Sequence, residues 1–79
     1  MQLDIHEATP QVLAQAKGHV VVFRYDGGSN PGDKRIVMVE SVDSLHINGI
    51  DLLETLDDGD TAHRTYRLDA IRGNIVQIK

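Results

Sequence analysis

The 79-residue sequence contains no cysteine, which removes disulfide bridges, thiolate metal sites and cysteine nucleophiles together. It also lacks a long apolar run. The longest is Val20–Phe23, far short of the roughly 20 residues a membrane-spanning helix needs. No basic start followed by an apolar stretch marks the N-terminus, where Asp4 and Glu7 stand instead, so the reading is of a chain without a signal peptide. These absences make a cytoplasmic protein with no membrane partner the expectation.

An excess of positive charge is missing too: 12 acidic residues face 8 basic ones, for a net charge of −4. That balance argues against wholesale coating of nucleic acid through phosphate neutralisation, and it leaves room for a local basic face. The acidic residues are mostly aspartates, many in turn-like segments, whereas Arg64, Arg67 and Arg72 cluster near the C-terminus. Hydrophobic residues at 41% and charged residues at 25% are those of an ordinary globular protein. With no linker, repeat or low-complexity tract, residues 1–79 read as one domain. A chain of this size buries only about 60% of its unfolded surface. A homodimer is expected, because self-association would cover open sheet edges and enlarge a modest core.

Thr9-Pro10 reads as a helix N-cap followed by proline at the first helical position, and Lys17-Gly18 as a helix end, giving a short helix over about residues 10–17. From His19 to Tyr25 the apolar positions fall on both parities, the pattern of a strand covered on both faces. Residues 26–33 gather nearly every turn-forming residue type and predict an exposed loop. Arg35–Val42 reads as a second strand, and Asn48-Gly49 between apolar residues predicts a hairpin turn joining a third strand to a fourth. A further turn at Asp57-Asp58-Gly59-Asp60 precedes strand-like runs over 62–68 and 73–78. Five or six short strands with one N-terminal helix predict a mainly β fold, an antiparallel meander curling into a small barrel. Val20, Val22, Phe23, Val37, Val39, Tyr66, Leu68 and Ile71 form the expected core.

Several chemical motifs come close and fall short. Gly27 and Gly32 have the glycine spacing of a phosphate-binding loop, but Asp33 occupies the place of its lysine and no helix pattern follows, so an exposed hairpin loop is the better reading. Ser29 lacks the closing glycine of a nucleophile elbow and reads as a turn serine. His6, His19, His46 and His63 are too scattered for a metal-ligand spacing and read as strand-face or surface residues. Asp57, Asp58 and Asp60 lack the alternating ligands and terminal glutamate of a calcium loop. No nucleophile–base pair or ligand cluster emerges, so neither an enzyme nor a cofactor or metal site is expected.

The most informative stretch is His63–Ile71. Tyr66 and Leu68 share a strand parity that points to the core, which turns Arg67 the other way. Spacing alone leaves two alternatives for Arg67: an ion-paired surface residue, or a planar guanidinium offered to an anionic ligand. The segment Arg64 to Ile71 also resembles the closing motif of WYL domains, in which an arginine, an aromatic, a basic residue and Leu-Asp precede an isoleucine. The upstream order is similar over about His19 to Lys79: an aromatic-rich strand ending at Tyr25, a polar loop, Arg35-Ile36-Val37-Met38-Val39, then Asn48-Gly49. The sequence departs from the family in carrying Ile50-Asp51-Leu52 where the naming tripeptide stands, and Ala70 where a second arginine is common. The resemblance implies an Sm-like barrel. It also implies a free-standing regulatory module of bacterial or phage origin that binds single-stranded nucleic acid or a nucleotide, with Arg64, Arg67, Arg35 and Arg72 as its candidate ligands. The alternative is a protein-interaction adaptor that docks a partner through the barrel surface, which the acidic net charge fits better.

Overall fold

β-Branched and aromatic residues fill the strand-like segments, and in the computed structural model they form one antiparallel sheet. Residues 2–28 and 31–79 are described, without the side chains of 57 and 58. The strands are β1 (Leu3–His6), β2 (Val20–Tyr25), β3 (Asp33–Val42), β4 (His46–Asp51), β5 (His63–Arg67) and β6 (Ile71–Ile78), in the sheet order β1-β6-β2-β3-β4-β5. The sheet is not closed: β1 and β5 form its edges. Two short helices, α1 (Pro10–Ala14) and α2 (Leu52–Asp58), and one 3-10 turn at Leu68–Ala70 complete the described structure. Among the described residues no helix is long and apolar enough to cross a membrane. Ser29, read as a turn serine, lies outside the described residues.

The helix expected after Thr9 is present. The Thr9 hydroxyl accepts the Val12 amide at 3.3 Å, Pro10 takes the first turn, and Leu13 and Ala16 are fully buried. Helical geometry stops at Ala14, and Gly18 follows with φ +83.

The second helix corrects the sequence reading. Asn48 and Gly49 are not a turn but lie inside β4, with Gly49 paired to Val39. A Cβ at position 49 would come 2.4 Å from the Met38 carbonyl oxygen and 2.7 Å from Val37 Cγ1, so glycine is there to let β4 approach β3. The real β3–β4 turn falls earlier, where Asp43 Oδ1 accepts the amides of Leu45 and His46 at 2.8 Å each. Those two bonds hold the Asp43 carboxyl below the ordinary aspartate value of 3.8. Its contribution is therefore present above that pH and is lost as pH falls through the lowered pKa.

Asp51 then starts α2, its Oδ1 accepting the Glu54 amide at 3.0 Å, and Gly59 ends it in the left-handed region with its amide on the Thr55 carbonyl. The turn signal at 57–60 thus terminates a helix instead of joining two strands.

Strand alternation sends Val21, Phe23 and Tyr25 of β2 inward to meet Val37, Val39, Ile47, Tyr66 and Ile75. Phe23, Val37, Val39 and Tyr66 are buried as expected. Val20 and Val22 are not: a run of four apolar residues hides its parity, and the structure turns these two outward and half-buried. Leu68 and Ile71 are only partly buried, because the 3-10 turn interrupts the alternation after Arg67. The one phenylalanine and two tyrosines meet edge-to-face, with centroids 5.1 to 6.2 Å apart. β2 and β5 have two strands between them in the sheet, so the 5.1 Å approach of Tyr25 to Tyr66 requires the sheet to bend strongly over the core.

This packing sets the expected mutational contrast. Phe23→Ala should cost about 3 to 5 kcal/mol in chemical denaturation, whereas Val22→Ala, on the other face, should cost less than about 1 kcal/mol. Equal losses at the two positions would mean that the faces are wrongly assigned.

Candidate functional site

The four arginines singled out in the sequence do not share one surface. Arg35 pairs with Phe23 across β2–β3 and so has inward parity, as does Arg64, two residues before Tyr66. Both reach a cleft of about 300 Å³ at one end of the sheet, walled by Tyr25, Tyr66, Glu54, Thr65, Gly27 and Gly28. The Arg35 guanidinium stands 5.9 Å from the centre of the Tyr25 ring. Arg64 is taken by Glu54 at 2.7 Å and also donates to the His63 carbonyl at 2.8 Å.

Arg67 lies toward the opposite end of β5, paired with His46, its side chain 60% exposed and 3.6 Å from Asp69. It borders a different, more apolar cleft of about 370 Å³ with Ala8, Pro10, Leu45 and Leu68. Its backbone is engaged as well, the amide donating to the Tyr25 hydroxyl at 3.0 Å. Arg72 lies on the outer face, held in a two-point grip by Asp26 at 2.6 and 3.1 Å.

Two cations that sequence reasoning passed over complete the picture. Register places Arg24 on β2 opposite Arg72 on β6 and opposite Lys34 on β3, so three cations form one row across three adjacent strands. Arg24 donates to the Gly32 carbonyl at 3.0 Å, and Arg72 packs beside the same glycine, whose φ is +82. Among the described residues no carboxylate pairs with Arg24 or Lys34. Like charges directly opposite on neighbouring strands repel; Asp26 offsets Arg72, which leaves Arg24 against Lys34 as the pair that a bound anion would relieve. With Arg35 and Arg64 just inside, Arg24, Lys34 and Arg72 put five of the eight basic residues at the loop 26–32 end. The sequence hid the parity of Arg24 behind the apolar run Val20–Phe23, and it hid the Arg72 partner because β6 pairs with β2 from far along the chain.

A buried polar pair lies beneath the cleft. The Tyr66 hydroxyl donates to Asp51 Oδ2 at 2.7 Å, and Asp51 is only 2% exposed. Burial first, and the Asp51 carboxylate second, push the Tyr66 phenol far above its ordinary range, so it stays protonated and acts as a donor. Since the other Asp51 oxygen caps α2, both oxygens of this buried carboxylate are engaged. The histidines remain separate: His46 lies 3.3 Å from Asp43 and His63 2.9 Å from Glu40. Among the described residues, no three histidine or acidic side chains come close enough together to hold a metal ion.

Compared with known proteins, the chain matches no family model, and no curated protein or solved structure is significantly similar to it.

Removing the Tyr66 hydroxyl tests the buried pair. Tyr66→Phe should destabilise the fold by about 1.5 to 3 kcal/mol, because Asp51 stays buried with one partner fewer. A variant within about 0.5 kcal/mol of the wild type in thermal denaturation would show that the bond contributes nothing.

Proposed function

We propose that the chain is a small non-enzymatic, cytoplasmic binding module of the WYL-like, Sm-like kind. In this reading it takes an anionic ligand, single-stranded nucleic acid or a nucleotide, on the basic end of its sheet. The row Arg72–Arg24–Lys34 carries the proposal, because Asp26 offsets only Arg72 and a bound anion relieves the repulsion between Arg24 and Lys34. Arg35 and Arg64 extend the positive surface into the cleft, whose size is at the lower end of ligand pockets. The Sm-like reading draws support from three features: a helix before the long strands, a strongly bent sheet, and a 3-10 turn that carries the chain from β5 into β6, beside β2. Guanidinium groups suit the task, since they pair with phosphate through two parallel hydrogen bonds and stack on bases.

Fluorescence anisotropy with a single-stranded oligonucleotide, repeated as salt is raised, tests this directly. Binding should weaken steeply with salt, and Arg24→Ala and Lys34→Ala should each lower the log–log slope by about 1 and weaken affinity by about ten- to a hundredfold. Arg67→Ala, in the other cleft, should leave affinity within about twofold. No binding at low salt, or equal losses at Arg67 and Arg24, would remove the reading.

A second reading is favoured by a separate observation. The outer face carries exposed Leu3 and Ile5, then half-buried Ile78 and Val76, then half-buried Val20 and Val22. A continuous apolar surface of this kind marks a protein-docking site, which makes the chain an interaction module.

A further inference from the structure

The sheet is apolar on both faces. Following the register, Leu3 stands beside Ile78, Ile78 beside Val20, Val20 beside Met38 and Met38 beside Ile50. The next row toward the loop 26–32 end runs Ile5, Val76, Val22, Ile36. All nine have the outward parity, and none belongs to the buried core cluster or packs against it. Antiparallel sheets with one wet face normally alternate apolar with polar residues; here the second face lacks its polar set. Leu3 is 58% and Ile5 69% exposed. α1 sits on the inner side, with Leu13 and Ala16 in the core, and the helices make their main contacts with β3 and β4, so neither helix is placed to cover both rows.

We propose that this face packs against the same face of a second copy, sheet on sheet, to form a homodimer. The inference rests on reading the outer face as a docking surface and goes on to name its occupant. Charge along the strands supports the choice. On one side the apolar rows end in the cations Arg24, Lys34 and Arg72; on the other they end in Glu40 and Asn48. Glu40 is aimed onto this face by its 2.9 Å contact with His63, which pairs with Ile50.

A two-fold axis running across the strands lays apolar rows on apolar rows and sets the cationic margin of each copy over the Glu40 margin of the other. An axis along the strands would set cations on cations and is ruled out. Such an isologous contact closes on itself and leaves no surface for further growth. The sheet turns away at β4, where it bends over the core, so the four strands β1, β6, β2 and β3, spaced about 4.8 Å apart, offer about 450 Å² per copy. The total of about 900 Å² is that of a weak, transient interface, so affinity in the high-micromolar range is expected. The cationic row lies at the rim of this dimer, where an anion can still reach it.

Sedimentation equilibrium of the full chain, from about 1 µM to about 500 µM, reads the association directly. The expected result is a monomer–dimer equilibrium with a dissociation constant in the high-micromolar range. Val22→Lys, at the centre of the face, should leave the chain monomeric throughout with an unchanged circular dichroism spectrum. Should that variant fail to fold, Leu3→Ser with Ile5→Ser on the exposed edge strand decides instead, and should weaken dimerisation at least about tenfold.

A wild type that stays monomeric, or a dimer that none of these substitutions weakens, overturns the proposal. For a monomeric wild type, methyl NMR with a soluble paramagnetic agent separates the two layers of the argument. Strong relaxation of the Val22 and Ile36 methyls would leave the docking reading standing and reject only the second copy. Shielded methyls would reject both.

Discussion

Tyr25 and Tyr66 touch edge to face at 5.1 Å across the interior, with the Phe23 ring 5.5 Å from Tyr66, and through them β2 and β5 are held together although two strands lie between them in the sheet. Each hydroxyl adds a hydrogen bond that ties the rings to the backbone or to a helix: Tyr25 accepts the Arg67 amide, and Tyr66 donates to the carboxylate that caps α2. Each ring pair contributes about 0.5 to 1.5 kcal/mol beyond the area it buries. A domain of this length has only about 4 to 12 kcal/mol in total, so the cluster is a sizeable share of what keeps the sheet bent. Asp26, whose amide donates to the Ala70 carbonyl, fixes the 3-10 turn to the same end.

Because the sheet bends around this cluster, inside and outside become chemically different along every strand. The inward positions near the loop 26–32 end are tyrosines with arginines above them, forming a cleft. The outward positions at the same end are the cations of adjacent strands, two apolar rows follow, and Glu40 and Asn48 stand beyond them. Anion binding at the rim and association through the face are therefore compatible uses of one sheet.

Local patterns carried much of this. The N-cap at Thr9, the loop after Tyr25 and the strand runs ending in Val42, Arg67 and Ile78 were readable because capping, turn chemistry and β-branched residues act over short ranges. β1 escaped notice: Leu3–His6 is only four residues, and what stabilises it is pairing with β6 at the far end of the chain. Asn48-Gly49 misled because close strand approach and tight turns call for the same residue. α2 escaped because its start depends on Asp51, buried and engaged by a tyrosine fifteen positions away. At the site, outward parity was visible for Arg67 from its place between Tyr66 and Leu68. Which of the arginines meet was not, because that is set by register between distant strands: Arg24 with Arg72 and Lys34, Arg35 with Arg64, and Arg67 apart.

The ring-to-ring contact is the element that bends the open sheet over its core, and a double-mutant cycle isolates it. Stabilities of Tyr25→Leu, Tyr66→Leu and the double variant should reveal a coupling of about 0.5 to 1.5 kcal/mol, since either substitution alone already forfeits the shared contact. Losses that add to within about 0.3 kcal/mol would mean that the rings do not depend on each other, and would contradict the account.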